Sequence, residues 1–158
     1  MRCHPFEGEE IARLELLPLE VRRRLDVVGL HVSRTGWQAL PLAEREAWCE
    51  ADVDTAEGRI SFARRVEVAC RAVAHPATAI EGTEPGRPWN RPDAVPRVLE
   101  RARILGMIAD PAPWARLDEP ARYALHRLSA SEKSPDKLRA ALVHFGLARL
   151  ERKERESA

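Results

Sequence analysis

The strongest constraint on the fold of this chain is an internal echo. Gly29, Trp37, Leu40 and Arg45 recur as Gly106, Trp114, Leu117 and Arg122, an offset of 77 that joins 29 to 106, 37 to 114, 40 to 117 and 45 to 122. Each copy follows a proline-started, arginine-rich amphipathic segment, Pro18-Leu-Glu-Val-Arg-Arg-Arg-Leu25 in the first and Pro96-Arg-Val-Leu-Glu-Arg-Ala-Arg-Ile104 in the second. A self-match at a fixed period is the mark of one supersecondary unit used twice. The chain has only four Trp, and two of them fall in this shared register.

The periodicity within each copy is helical, and no segment shows the sustained alternation of a strand closed by a two-residue turn. The expectation is therefore an all-α protein, a compact helical domain over 1–158 built from two similar units. The first unit is read over 17–74, a proline-rich connection over 75–94, the second unit over 95–150, and a frayed tail over 151–158. Pro18 suits a first helical turn, and Leu17, Val21, Leu25 and Val28 then mark one face. Gly29 and Gly106 stand where a left-handed residue ends a helix. A helix opening near Asp54, with Glu57 completing a capping box, carries the stripe Ile60, Ala63, Val66, Cys70 and Val73. In the second copy Asp118 is the expected cap of one helix and Ser134, before Pro135, the cap of the next. The connection holds Pro76, Pro85, Pro88 and Pro92 with Gly82 and Gly86, which rules out one regular element, yet Trp89 favours an ordered loop because a packed indole removes on the order of 150–250 Å² from water.

Several function classes are disfavoured by composition. The 26 basic and 25 acidic side chains of the 158 residues nearly cancel and are interspersed, so no broad positive field for nucleic acid is expected. Three cysteines, an odd number with no Cys-x-x-Cys pair, suit a reducing cytoplasm, and no secretory leader or membrane span is read. Scattered glycines form no phosphate-cradling loop, and hydrolase, metalloprotease and calcium-loop signatures are missing. No cofactor and no metal is called for. Cys3-His4 reads as a free, disordered terminus before it reads as a metal pair, Cys49 and Cys70 as small buried residues, and His126 and His144 as hydrogen-bonded histidines before ligands.

The residues left with a possible binding role are arginines. Arg22, Arg23 and Arg24 form the densest cationic cluster, either a solvated helix face or a contact for an acidic partner. Arg45 beside Trp37, and Arg122 beside Trp114, suggest cation–π clamps worth about 0.5–2 kcal/mol, or docking sites. Trp37, Trp114, Gly29 and Gly106 are assigned as structural anchors, and Arg22, Arg23, Arg24, Arg45 and Arg122 as candidate partner contacts.

Taken in order, Phe6-Glu7, Leu17-Pro-Leu-Glu-Val-Arg22, Leu25-Asp26, Gly29, Trp37, Arg45, Trp114, Leu117, Arg122-Tyr-Ala-Leu125, Arg127-Leu-Ser129 and Phe145-Gly-Leu147 resemble the nitrate reductase-associated protein family. The resemblance implies a small cytoplasmic protein linked to assimilatory nitrate reductase and to molybdenum cofactor biosynthesis, with no catalytic residue to carry over. It implies a non-enzymatic accessory factor that contacts the nitrate reductase apoprotein. The alternative is a small ligand-binding protein or enzyme of molybdenum cofactor metabolism, with Arg22, Arg45 and Arg122 gathering the phosphate of a pterin or nucleotide.

Overall fold

A computed structural model of the chain describes residues 3–81 and 87–151. Gly82, Pro85 and Gly86 of the connection, and residues 152–158 of the expected tail, lie outside the described residues. The chain divides into two compact units, Met1–Arg87 and Pro88–Ala158.

The first unit opens with a 3-10 turn, Pro5–Glu7, and a one-turn helix, α1 (Glu9–Ala12). Next come α2 (Leu19–Val28), β1 (Leu30–His31), α3 (Arg34–Ala39), α4 (Leu42–Cys49), α5 (Ala56–Ala72) and β2 (Thr78–Ala79). Pro18 precedes α2 but has no side-chain acceptor for the orphan N–H groups of the first turn. The cap comes from twelve positions upstream: the buried Glu7 carboxylate accepts from Leu19 N at 2.7 Å and closes its own turn by accepting from His4 N at 2.5 Å. A carboxylate at a helix N-terminus also opposes the positive end of the helix dipole. The expected disorder at Cys3-His4 is corrected by this turn, in which His4 is buried and stacks on Phe6 at 5.1 Å. At its other end α2 stops on Gly29, φ 72°, whose N–H returns to the Asp26 carbonyl.

The first core is aromatic at its centre. Trp37 on α3 tilts against Trp48 on α4 at 5.8 Å, and Trp48 meets Phe62 on α5 edge-on at 5.9 Å. Of the stripe read from sequence, Val66 and Cys70 are buried and Ala63 and Val73 pack against the core, but Ile60 is 63% exposed and Phe62 takes its place on the buried face. The cap of α5 is likewise Thr55, not Asp54: its hydroxyl accepts from Gly58 N at 3.0 Å while donating to the Asp52 carboxylate.

The second unit runs from a 3-10 turn at Pro88–Asn90 through α6 (Ala94–Ile104), β3 (Met107–Ala109), a 3-10 turn at Ala112–Arg116, α7 (Glu119–Ser129), α8 (Pro135–His144) and β4 (Ala148–Leu150). Trp89 is buried, packs edge-on against Tyr123 at 4.9 Å, and donates its indole N–H to Glu119 at 2.8 Å. Gly106, φ 72°, follows α6 and bonds back to the Arg103 carbonyl as Gly29 does to Asp26. Asp118 caps α7 by accepting from Ala121 N at 3.0 Å, whereas Ser134 makes no side-chain cap and α8 begins directly at Pro135.

Helices dominate, as expected, but two short antiparallel ladders join them. Leu30 and His31 pair with Ala79 and Thr78, and Met107 through Ala109 pair with Leu150 through Ala148. Strands of two or three residues contain at most one period of alternation, so pattern reading could not register them.

Candidate functional site

Three groups of arginines were offered by the sequence, and the fold treats them differently. On α2, Arg23 is 5% exposed and pairs with the equally buried Glu20, Nε to Oε1 at 3.2 Å and Nη2 to Oε2 at 3.3 Å. Arg24 donates to the Ala51 carbonyl at 2.8 Å, to the Glu20 carbonyl at 3.1 Å and to Glu20 Oε2 at 3.1 Å. Arg22 is half-buried. The run of three is therefore neither a solvated face nor an open cationic patch. Two of its members turn inward because the loop after α4 brings a backbone acceptor to the helix and Glu20 supplies the counter-charge.

Around Arg45 the expected cation–π clamp is replaced by a shared acceptor. The Leu14 carbonyl accepts from Trp37 Nε1 at 3.0 Å and from Arg45 Nη1 at 2.8 Å. Arg45 also donates Nε to the Leu40 carbonyl at 3.0 Å and Nη2 toward the Gln38 carbonyl at 3.5 Å. Leu14 is fully buried with a left-handed backbone, φ 59°, a conformation unfavourable for a branched side chain. That strain is held by the two donors and by the Leu14 side chain in the core. One guanidinium thus ties the segment before α2 to both ends of the α3–α4 corner.

In the second unit Trp114 is 9% exposed, and Arg122 donates Nη2 to the Ala115 carbonyl at 3.3 Å. Both Arg45 and Arg122 reach back seven residues to a backbone oxygen, with Leu40 and Leu117 extended at the corner between. Here too no cation–π contact links the pair.

The thiols are not arranged for nucleophilic chemistry. Cys70 is buried in the α5 stripe, and desolvation pushes its thiol pKa up. Burial, reinforced by the Glu7 carboxylate, does the same to Cys3. Cys49 is buried with its Sγ 3.4 Å from the Arg45 carbonyl. Among the described residues no group of three or more His, Cys, Asp or Glu is placed to hold a metal ion. His126 rests edge-on near Trp89 and His144 against Phe145.

The surface feature with binding chemistry in the first unit is one the sequence reading missed. Ile60, Arg64 and Val68, spaced by four on α5, lie two residues out of phase with Phe62, Val66 and Cys70, which places them on the opposite face. Ile60 and Val68 are 63% and 60% exposed. They border a groove of about 720 Å³ whose wall includes Glu44 of α4 and Arg65 of α5. Glu44 accepts from Arg65 Nε at 2.6 Å and Nη2 at 3.0 Å, and from Trp48 Nε1 at 3.0 Å. The Arg65 and Trp48 donors hold the Glu44 carboxyl below its ordinary pKa against the opposing effect of burial. No helix among the described residues is long and apolar enough to cross a membrane.

The chain belongs to the family of conserved nitrate reductase-associated proteins, whose model matches residues 3–145. That span takes in the Glu7 cap, the Leu14–Trp37–Arg45 cluster, the α5 groove and the Trp114–Arg122 corner. No curated protein and no solved structure matches the chain.

Proposed function

We propose that this chain is a non-enzymatic accessory factor for the maturation or activity of assimilatory nitrate reductase, acting by contact with the reductase apoprotein through the outer face of α5. The family's association with nitrate reductase supports the partner. The observation that carries the choice of surface is the pair of exposed apolar residues, Ile60 and Val68, that flank Arg64 on the outer side of α5. Ile60 and Val68 are exposed although a surface helix ordinarily keeps only one apolar stripe. Arg23, Arg24 and Arg45 are committed to internal carboxylate and carbonyl acceptors, so we place the contact on α5 rather than on Arg22, Arg23, Arg24, Arg45 and Arg122. The same commitment argues against Arg45 gathering a phosphate with Arg22 and Arg122.

We also read the two units as copies of one plan. Matched left-handed glycines, a buried Trp before an extended Leu, and an arginine bonded seven residues back support it.

The test is co-expression with an assimilatory nitrate reductase, comparing the wild type with an Ile60→Glu/Val68→Glu double variant. The wild type should co-purify with the reductase and raise its activity and molybdenum content. The variant should lose capture while its stability moves by no more than about 0.5 kcal/mol per site, as for surface changes generally. Unchanged reductase activity and molybdenum loading after deletion of the gene in a nitrate-dependent strain would end the accessory reading.

A further inference from the structure

The two units run through the same elements in the same order. A helix, a left-handed glycine, a short strand, a helical turn carrying a Trp, an extended Leu, a helix carrying an Arg, a further helix and a strand antiparallel to the first make up α2 to β2 in one and α6 to β4 in the other. The end of the last helix is repeated as well: Ala74 and Gly146 are both left-handed, and the residues after them, His75 and Leu147, donate back to the Cys70 and Leu142 carbonyls. At the corner, Leu40 N bonds to the Trp37 carbonyl and Leu117 N to the Trp114 carbonyl, and Arg45 and Arg122 each reach back seven residues.

What differs is the acceptor. In the first unit the Leu14 carbonyl takes both the Trp37 indole N–H and Arg45 Nη1, and the Leu14 side chain is fully buried. The segment before α6 goes elsewhere, because its Pro88–Asn90 turn packs on Tyr123 and bonds to Glu119 through Trp89 and Asn90. Among the described residues no acceptor reaches Trp114 Nε1 or Arg122 Nη1, and neither atom is closed to solvent. The corner is also less covered: Trp114 is 9% exposed against 1% for Trp37, and Leu117 is half-buried where Leu40 is 1% exposed. Arg122 Nε, by contrast, is shut off from solvent and out of reach of any ligand.

We propose that the Trp114–Arg122 corner is a docking site for a peptide segment of a protein partner, which presents there what Leu14 presents in the first unit: a backbone carbonyl for the two donors and a branched aliphatic side chain beside it. A carbonyl oxygen has two lone pairs, so one oxygen serves the indole and the guanidinium together, as Leu14 does. The bond from the guanidinium is charge-assisted. The aliphatic side chain covers indole and leucine surface that otherwise stays in water. This site is separate from the α5 contact and independent of the accessory reading; it rests on the shared plan of the two units.

The probe is the segment that fills the first corner, a synthetic peptide of residues 9–18 blocked at both ends so that it carries no terminal charge, titrated into the full chain labelled with nitrogen-15. Nuclear magnetic resonance follows the indole N–H signals, those of Trp37 and Trp114 being assigned from the Trp37→Phe and Trp114→Phe variants. In the free protein the Trp114 indole proton should exchange with water faster than that of Trp37. The peptide should shift the Trp114 signal saturably and slow its exchange while leaving the Trp37 signal in place, and a peptide of the same composition in scrambled order should do neither. Arg122→Met should weaken the peptide by about tenfold. Arg139→Met, whose partner Asp136 lies on its own helix, should change affinity by less than about threefold. Circular dichroism melting shows whether each variant folds; Trp114→Phe, which keeps a ring and loses the donor, should also bind more weakly by calorimetry and stands in if Arg122→Met does not fold. A Trp114 indole proton as protected as that of Trp37 in the free protein would mean that the corner is already filled and would overturn the site. So would the absence of a saturable shift, an equal response to the scrambled peptide, or folded Arg122→Met and Trp114→Phe with wild-type affinity. The shared plan fails by a separate result, a crystal structure in which residues 19–49 and 94–129 do not superpose.

Discussion

The Leu14 carbonyl has two donors, and that makes an energetic prediction that neither donor makes alone. Trp37→Phe removes the indole N–H at 3.0 Å and leaves the carbonyl bonded to Arg45, so the cost is one net hydrogen bond, about 0.5–1.5 kcal/mol, plus the smaller ring. Arg45→Met keeps most of the stem but removes charged donors from Leu14 and Leu40, about 1.5–3 kcal/mol for a bond to a charged group, while the indole still serves Leu14. In the double variant Leu14, fully buried, has no donor for its carbonyl. A buried acceptor left unsatisfied costs about 1–3 kcal/mol, and this penalty appears only when both donors are gone. The loss at Leu40 and the smaller ring occur in the single variants as well and cancel in the cycle. Urea unfolding of all four proteins, followed by circular dichroism, should therefore show the double variant less stable than the sum of the singles by about 1–3 kcal/mol, against the roughly 0.5 within which independent sites add. A cycle of Trp37→Phe with Arg59→Met, whose acceptors are the Val53 and Asp54 carbonyls, should be additive within that limit. Additivity in the Trp37–Arg45 cycle would refute the shared acceptor as the element holding Leu14.

Two further outcomes follow from the ion pairs. Arg23→Glu should lower stability by up to about 3–5 kcal/mol, because it replaces one of the two arginine partners of the buried Glu20 with a like charge and leaves Arg24 alone to neutralise two carboxylates; a change near zero in the urea midpoint would mean that the pair is solvated in solution. Glu44→Gln should cost up to about 1 kcal/mol at neutral pH, the ordinary value of a partly exposed pair with Arg65. The Glu44 carboxyl has a lowered pKa in the folded state, so its contribution is present above the unfolded carboxylate pKa and is lost as pH falls through the folded value. The difference between wild type and variant should accordingly shrink on acidification, and a difference that grows instead would reverse the assignment.

The parts of this fold that local chemistry dictates were legible in the sequence. Pro18 and Gly29 bracket α2, Asp118 caps α7, and the left-handed turn at Gly106 ends α6, since each signal acts within a few residues. Trp89 could be placed in an ordered loop because an exposed indole is costly wherever the chain runs. The misread features depend on partners far along the chain. A helix whose N-terminal proline offers no acceptor gives no hint that Glu7, twelve positions earlier, will cap it. Leu14 carries no mark of a positive φ, because Gly and Asn announce that conformation and Leu does not. Arg24 looks like a surface cation until the Ala51 carbonyl, 27 positions later, is brought against it.

The stripe on α5 went wrong for a different reason. The sequence reading placed Ala63, Val66, Cys70 and Val73 on the packed side, but it opened the stripe on Ile60, three residues before Ala63, where Phe62 is the buried aromatic. Trp48 meets Phe62 edge-on and fixes it in the core with Val66 and Cys70. Ile60 and Val68 then have to face outward, since a helix whose residues advance by 100° puts positions two apart on nearly opposite sides. α5 thus packs through Phe62, Val66 and Cys70 and leaves Ile60 and Val68 exposed on either side of Arg64, which is the surface on which the proposed reductase contact rests.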